Sequence, residues 1–191
     1  MDYLKIVLIS YLFGSIPFGL LLTKIFLKKD IRKIGSGNIG ATNALRSGNK
    51  FIGYSTLLLD ILKAVLPLIF IKFNYPNFIY ISALCIFLGH VFPIWLNFKG
   101  GKGVAAYVGI LFSLNLIYGL VFGIIWIIVF LVSKYSSLSS LIGSLSIPIY
   151  IFLTSEDQLI FFGIMFILVF YTHRENIKRL KNKEESKTKI Y

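Results

Sequence analysis

This chain is poor in the residues on which most catalytic and disulfide-built folds depend. It holds one cysteine, Cys85, in 191 residues. A single thiol excludes an intrachain disulfide framework, and its place inside an apolar run reads as a small buried hydrophobe. There are two histidines, His90 and His173, and eight acidic residues, with no acidic cluster on the basic side of the chain. That supply is too thin for a stable zinc site, so no metal is expected, and nothing in the sequence calls for a cofactor. No G-x-S-x-G elbow occurs, and no serine stands out as an acyl-enzyme nucleophile. The first apolar segment follows an acidic residue and lacks a small-residue cleavage site before a soluble region, so it is expected to be a retained helix rather than a cleaved leader.

What is present is apolar side chain in long runs. Hydrophobic residues make up 57% of the chain, and mean hydropathy is +0.80. An ordinary soluble domain is less apolar. Roughly 20 apolar residues cross a bilayer core as helix, and the sequence accommodates about seven such spans: 4–27, 51–71, 78–96, 104–112, 116–132, 138–153 and 159–171. The fourth is short. If it merges with the fifth as a re-entrant unit, five crossings remain with the same ends. The expected fold is an all-α integral membrane protein, with residues 1–191 forming a single membrane-embedded domain.

The basic residues orient this map. The formal net charge is +12, but the cations do not form a soluble nucleic-acid face. Loop 28–50 carries Lys28, Lys29, Arg32, Lys33, Arg46 and Lys50. Lys99, Lys102 and Lys134 occupy later turns on the same side, and seven more cations, ending with Lys189, fill the tail after residue 173. The opposite side has Lys5, Lys72 and the acidic pair Glu156 and Asp157. By the positive-inside rule the basic side is cytoplasmic, with the amino terminus outside and the carboxyl terminus in the cytoplasm.

Several polar motifs fall on that basic side. The first is Gly35-Ser36-Gly37-Asn38-Ile39-Gly40-Ala41-Thr42-Asn43, followed by Arg46. It matches G-x-G-x-x-G, but the dinucleotide reading requires a preceding strand, and the neighbours here are membrane helices. The glycines suit an anion nest of backbone N–H groups. Ser36, Asn38, Thr42 and Asn43 add donors, and Arg46 adds a bidentate fork. The plainer reading is a flexible loop with helix caps. The second motif, Lys99-Gly100-Gly101-Lys102-Gly103, lacks P-loop spacing but opens a helix, where N–H groups and the dipole favour phosphate. Ser137 and Ser140 are three apart at the start of the sixth span, as helix caps or as donors. His173 and Asn176 share a helical face at the end of the seventh. Asp60 and Lys63, within the second span, read equally as a functional site or as an i,i+3 structural pair. His90 reads as a packing group.

Taken in order, Gly14-Ser15-Ile16-Pro17-Phe18-Gly19, the loop 35–43, Asp60-Ile61-Leu62-Lys63, Gly89-His90 through Gly103-Val104-Ala105, and His173-Arg174-Glu175-Asn176-Ile177-Lys178-Arg179-Leu180 resemble the bacterial acyl-phosphate:glycerol-3-phosphate acyltransferase family, the PlsY type. The resemblance covers essentially the whole chain. It implies a seven-helix protein of the bacterial cytoplasmic (inner) membrane with its site at the cytoplasmic face. The implied activity transfers a fatty acyl group from acyl phosphate to the 1-hydroxyl of sn-glycerol 3-phosphate, giving lysophosphatidic acid and inorganic phosphate in phospholipid synthesis. By position it assigns catalytic roles to Ser36, Arg46, Lys102, His173 and Asn176. It also assigns substrate or phosphate contacts to Gly100, Gly101, Gly103 and Ser140, beside which the residue reading places Gly35, Gly37, Asn38, Thr42, Asn43 and Ser137. The implied partners are acyl phosphate, glycerol 3-phosphate and membrane lipid, with no nucleic acid and no obligate protein partner. The chain departs from the family pattern at Ala64, Ala106, Lys134 and Lys181-Asn182-Lys183; lysine at 134 removes a bidentate contact there. A transporter of a phosphorylated metabolite is the competing class. It lacks support from half-to-half symmetry, and a passive membrane subunit leaves the donor-rich loops unexplained.

Overall fold

The computed structural model describes residues 2–188; Lys189, counted in the basic tail, lies outside them. Among the described residues the chain is helical, without a β-strand. It divides into two compact units, Met1–Leu114 and Asn115–Tyr191.

In the first unit, α1 (Asp2–Ser15) packs along α5 (Ile79–Val91), and α4 (Lys50–Asn74) packs against α6 (Val104–Leu114) and the short α3 (Ala41–Leu45). The expected first span, 4–27, is broken. α2 (Phe18–Leu27) restarts after Ile16-Pro17 because proline supplies no N–H to the preceding turn and excludes helical backbone before it. The break exposes the carbonyl of Ile16, and Lys63 Nζ donates to it at 2.7 Å. The same ammonium lies 2.8 Å from Asp60 Oδ1, and both side chains are buried. Lys63 therefore holds a helix break shut while its charge is balanced, so Asp60 and Lys63 resolve as a structural pair. Lys72 likewise donates to the Ser113 and Leu114 carbonyls at 2.9 and 3.1 Å, satisfying the open end of α6.

The α1–α5 contact is unusually close, and glycine permits it. A Cβ on Gly14 would overlap the Ile86 carbonyl, and one on Gly89 would overlap that of Tyr11. Small residues allow such backbone approach in membrane helices. Tyr11 Oη donates to the Phe92 carbonyl, and Trp95 Nε1 donates to Ser15 Oγ, fastening the ends of the same pair.

In the second unit, α7 (Leu116–Ser133) and α8 (Ser136–Thr154) form a helical hairpin across Lys134-Tyr135, with Lys134 in the left-handed region. α9 (Leu159–Thr172) packs on α8 and bends by 60° into α10 (Arg174–Lys181). Trp126 stacks on Phe130, and Tyr118 hydrogen-bonds Glu156.

Four segments are long and apolar enough to cross a membrane: Tyr3–Leu27, Pro76–Leu96, Leu116–Ser133 and Ser136–Thr154. The bent pair Leu159–Thr172 and Arg174–Lys181 makes a fifth. Large apolar side chains such as Val132, Leu153 and Ile160 stay largely exposed, as lipid-facing residues do. The chain is a multi-pass membrane protein. Two expected spans fall outside this set. α6 has 11 residues, about 16 Å at 1.5 Å per residue, against a hydrocarbon core of about 30 Å. α4 is long enough at 25 residues but contains the Asp60–Lys63 pair.

Gly14→Ala and Gly89→Ala should each lower the thermal unfolding midpoint in detergent, because the added methyl meets backbone rather than a movable side chain; about 1–3 kcal/mol is expected from overpacking. Gly123→Ala, where nothing lies within 4 Å, should leave the midpoint unchanged or slightly raised.

Candidate active site

The loop between α2 and α4 is built around one buried amide. Asn43 is 2% exposed. Its Nδ2 lies 3.1, 2.9 and 2.8 Å from the carbonyls of Ile31, Ile34 and Asn38, so two hydrogens are shared among three acceptors. Its Oδ1 accepts from the Ser36 N–H at 2.9 Å. Gly37 N–H donates to the Ile34 carbonyl, and Gly40 N–H to Asn38 Oδ1. Gly35 and Gly37 take φ of 52° and 72°, left-handed values that glycine adopts at little cost. At the head of the loop, Asp30 accepts from the Arg32 backbone and guanidinium, which hold its carboxyl well below the usual carboxylate range.

These bonds change the expected chemistry. The N–H groups of Ser36, Gly37 and Gly40 point into the loop, so they do not form the expected anion nest. Asn43 spends its amide on the scaffold, and Asn38 Oδ1 caps Gly40. What the loop offers outward is side chain. Ser36 is exposed, Thr42 is half-buried in the first turn of α3, and exposed Arg46 closes that helix. The Arg46 stem runs beside Gly35, where an added Cβ would lie 3.0 Å from Arg46 Cδ. Ser36 and Arg46 are thus brought together by Asn43.

The second glycine motif is also partly committed. Gly100 N–H donates to the Val91 carbonyl at 3.0 Å and Gly101 N–H to that of His90 at 3.1 Å. This turn folds onto the end of α5, and a Cβ on Gly101 would overlap His90 Nε2. His90 is therefore a packing group beneath the turn, with its Nδ1 3.9 Å from Asp60 Oδ1. Gly103, at φ 85°, turns the chain into α6, and half-buried Lys102 stands at that helix's amino end.

In the second unit, Ser140 Oγ donates to the Ser136 carbonyl and accepts from Trp126 Nε1, so it fastens the α7–α8 hairpin rather than standing open as a phosphate donor. His173, at the bend between α9 and α10, has Nδ1 2.8 Å from the Val169 carbonyl. A carbonyl only accepts, so Nδ1 carries the hydrogen in this contact. Ser137 and Asn176 are brought together by a residue the sequence reading missed. Glu185 Oε1 accepts from Ser137 Oγ and Asn176 Nδ2, both at 2.7 Å, and Oε2 accepts from Arg179 Nε at 2.7 Å. Thr188 N–H donates to the Lys134 carbonyl, anchoring the returning tail. Burial pushes the Glu185 carboxyl up, but hydrogen bonds from Arg179, Asn176 and Ser137 and the Arg179 charge outweigh it and hold the group below its ordinary value. The available signal was a carboxylate pair, Glu184-Glu185, inside an otherwise basic tail.

Comparison with known proteins gives these groups a context. The pattern of the family described as glycerol-3-phosphate acyltransferase matches residues 4–183. The chain belongs to the glycerol-3-phosphate acyltransferase family. A glycerol-3-phosphate acyltransferase of Pelagibacter ubique (strain HTCC1062) is 71% identical over 191 residues, covering 100% of both chains. One from Rhodopseudomonas palustris (strain HaA2) is 48% identical over 187 residues, covering 97% of this chain and 95% of that one. The fold resembles crystal structures of PlsY, an integral membrane glycerol 3-phosphate acyltransferase. Its glycerol 3-phosphate form has a TM-score of 0.90 at 34% identity, covering 98% of this chain and 96% of that one. Its lysophosphatidic acid form has a TM-score of 0.88 at 33% identity, with 98% and 95% covered.

Within this acyltransferase an apolar cleft of ≈ 450 Å³ lies between α1 and α4, lined by residues such as Phe13, Leu66 and Phe70. None of the expected site residues lines it. The expected site residues lie instead in the polar loops and helix ends.

Asn43→Asp in the acyltransferase should destabilise the loop more than a surface change does. It places a carboxylate against three carbonyls, and about 1–3 kcal/mol is expected for each buried polar group left unpaired. Thermal unfolding in detergent and activity should fall together, whereas Ser36→Ala should leave the unfolding midpoint near wild type.

Proposed function

We propose that this acyltransferase moves a fatty acyl group from acyl phosphate to the 1-hydroxyl of sn-glycerol 3-phosphate, releasing lysophosphatidic acid and inorganic phosphate. The observation that carries the reading is family membership across nearly the whole chain, with likeness to PlsY in its glycerol 3-phosphate and lysophosphatidic acid forms. On this reading, residues 1–191 act as one membrane-embedded domain of seven helices in the bacterial inner membrane. The amino terminus is outside, and the basic loops and carboxyl terminus are in the cytoplasm. No obligate protein partner is invoked.

The residue roles follow the family resemblance, position by position, set beside the geometry of each loop. Ser36 and Arg46, presented together by the Asn43-centred loop, bind phosphate oxygens. Arg46 supplies a charge-assisted fork that a neutral donor does not match. Lys102 acts with the first turn of α6, where cation and helix dipole favour the same anion. Thr42, Ser137, His173 and Asn176 complete the substrate contacts. Gly35, Gly37, Asn38, Asn43, Gly100, Gly101, Gly103 and Ser140 support those contacts by shaping the loops.

Chemically, the 1-hydroxyl oxygen attacks the acyl carbonyl carbon, and the bond from that carbon to the phosphate oxygen breaks. The departing phosphate takes the hydroxyl proton, so no protein base is required. Catalysis then rests on holding two phosphate-bearing substrates in register and on stabilising the charge that develops on the carbonyl oxygen.

Purified protein given palmitoyl phosphate and glycerol 3-phosphate should release inorganic phosphate and lysophosphatidic acid in equal amounts. Absence of both products, with movement of glycerol 3-phosphate across vesicles, would establish the transporter class instead. Arg46→Ala and Lys102→Ala should each lower kcat/KM by roughly ten- to a hundredfold, the range for losing a hydrogen bond to a charged group. Ser36→Ala should cost about tenfold. Wild-type rates in all three would remove the loop from the site.

A further inference from the structure

Three buried polar groups beneath the second glycine motif take no part in the proposed chemistry: His90, Asp60 and Lys63. The turn above them rests on the end of α5. The N–H groups of Gly100 and Gly101 donate to the Val91 and His90 carbonyls. A Cβ on Gly101 would overlap His90 Nε2, and one on Gly103 would overlap the Phe87 ring. The backbone on either side of Lys102 therefore lies directly on two rings, and it shifts only if they do. Phe87 is fully buried and set edge-on to Tyr107, so packing fixes it. His90 is 4% exposed, and its Nδ1 is buried without a hydrogen-bond partner among the described residues. A buried polar atom in that state is costly and needs a reason.

Asp60 supplies one. Its Oδ1 lies 3.9 Å from His90 Nδ1, beyond hydrogen-bond range but near enough to rank the two ways the ring can face. An imidazole turned about its Cβ–Cγ bond sets either Nδ1 or a carbon toward a given neighbour. A carboxylate accepts from a ring N–H, which favours the nitrogen edge. The carboxylate is itself held in place. Lys63 Nζ lies 2.8 Å from the same oxygen and donates to the Ile16 carbonyl at 2.7 Å. The ion pair thus closes the helix break and also fixes a negative point beside the ring.

We infer that Asp60 and His90 are positioning residues: Asp60 sets which way the His90 ring faces, and the ring sets the place of the Gly100–Gly103 turn and so of Lys102. The inference rests on the acyltransferase reading above, in which Lys102 binds phosphate. It adds two buried groups that act through Lys102 rather than on the substrate. All of these residues lie in the first compact unit.

The test is a double-mutant cycle in the full chain, purified in detergent. Unfolding midpoint and kcat/KM for glycerol 3-phosphate, with palmitoyl phosphate as donor, are measured for each protein. His90→Phe keeps a ring beneath Gly101 but removes the nitrogen that faces Asp60. It should lower kcat/KM by roughly ten- to a hundredfold, the scale of a binding group misplaced by about 1 Å. In a chain already carrying Lys102→Ala, the same substitution should change kcat/KM by less than about twofold, because the group it misplaces is gone. A ring that serves packing alone gives either wild-type kcat/KM for His90→Phe, or an equal loss in both backgrounds with the unfolding midpoint falling alongside. Either pattern overturns the inference. His90→Asn keeps a nitrogen for Asp60 but removes the ring, and it should behave in the cycle as His90→Phe does. It decides the matter if His90→Phe does not fold. If neither folds, His90 belongs to the fold alone and the inference fails. Lys102→Ala at the wild-type rate overturns it from another side, by removing Lys102 from the site. Wild-type protein that forms no product overturns the enzyme reading itself, so the failures are distinguishable.

Discussion

A backbone placed in an apolar surrounding must find its hydrogen-bond partners within the protein, and in this chain that constraint fixes which polar side chains remain available for anything else. The first span breaks at Ile16-Pro17, so a carbonyl loses its helical donor. Lys63 reaches it from α4 and brings Asp60 to balance the charge. Lys72 closes the carbonyl end of α6 in the same manner. Two lysines that look costly on a hydropathy scale are therefore the means by which short and broken helices persist. Removing Lys63 alone would leave a buried carboxylate unpaired, which generally costs more than the pair contributes.

The same accounting separates scaffold from chemistry in the polar loops. A loop rich in glycine, serine and asparagine invites the reading that every donor grips an anion. Asn43, Asn38, Gly100, Gly101 and Ser140 instead spend their polar groups on holding the backbone, and the positive charge is left to side chains at the rim. On the proposed reading, this arrangement suits the binding of a phosphate group. A rigid loop presents Ser36 and Arg46 at little entropic cost on binding, whereas a mobile nest would incur that cost each time.

Much of the architecture was legible from apolar run length alone. The expected segments 116–132, 138–153 and 159–171 correspond to helices Leu116–Ser133, Ser136–Thr154 and Leu159–Thr172, because a long apolar run in a membrane has few alternatives to helix. Run length said less about interruptions. It joined α1 and α2 across Pro17, and it ran the third span through to residue 96, although α5 ends at Val91 and the chain continues as a 3₁₀ turn, Ile94–Leu96. It also gave α6 the status of a crossing that its 11 residues do not support by length. The candidate site was legible as a set of segments, and the ordered motifs pointed to the family from which the activity follows. The use of each residue within those segments was not.

The sequence by itself determined a helical membrane protein, the position of its polar loops along the chain and the family to which it belongs, since these depend on hydropathy, charge and motif order, which are properties of the chain read in one dimension. Only the tertiary structure decided which polar groups are already spent. Asn43 meets the carbonyls of Ile31, Ile34 and Asn38, and Asn176 meets Glu185, which also binds Ser137 from 48 positions away. A hydrogen bond is a statement about two atoms within about 3 Å, and that proximity is created by folding, so the identity of a donor can be read from the sequence while its partner cannot.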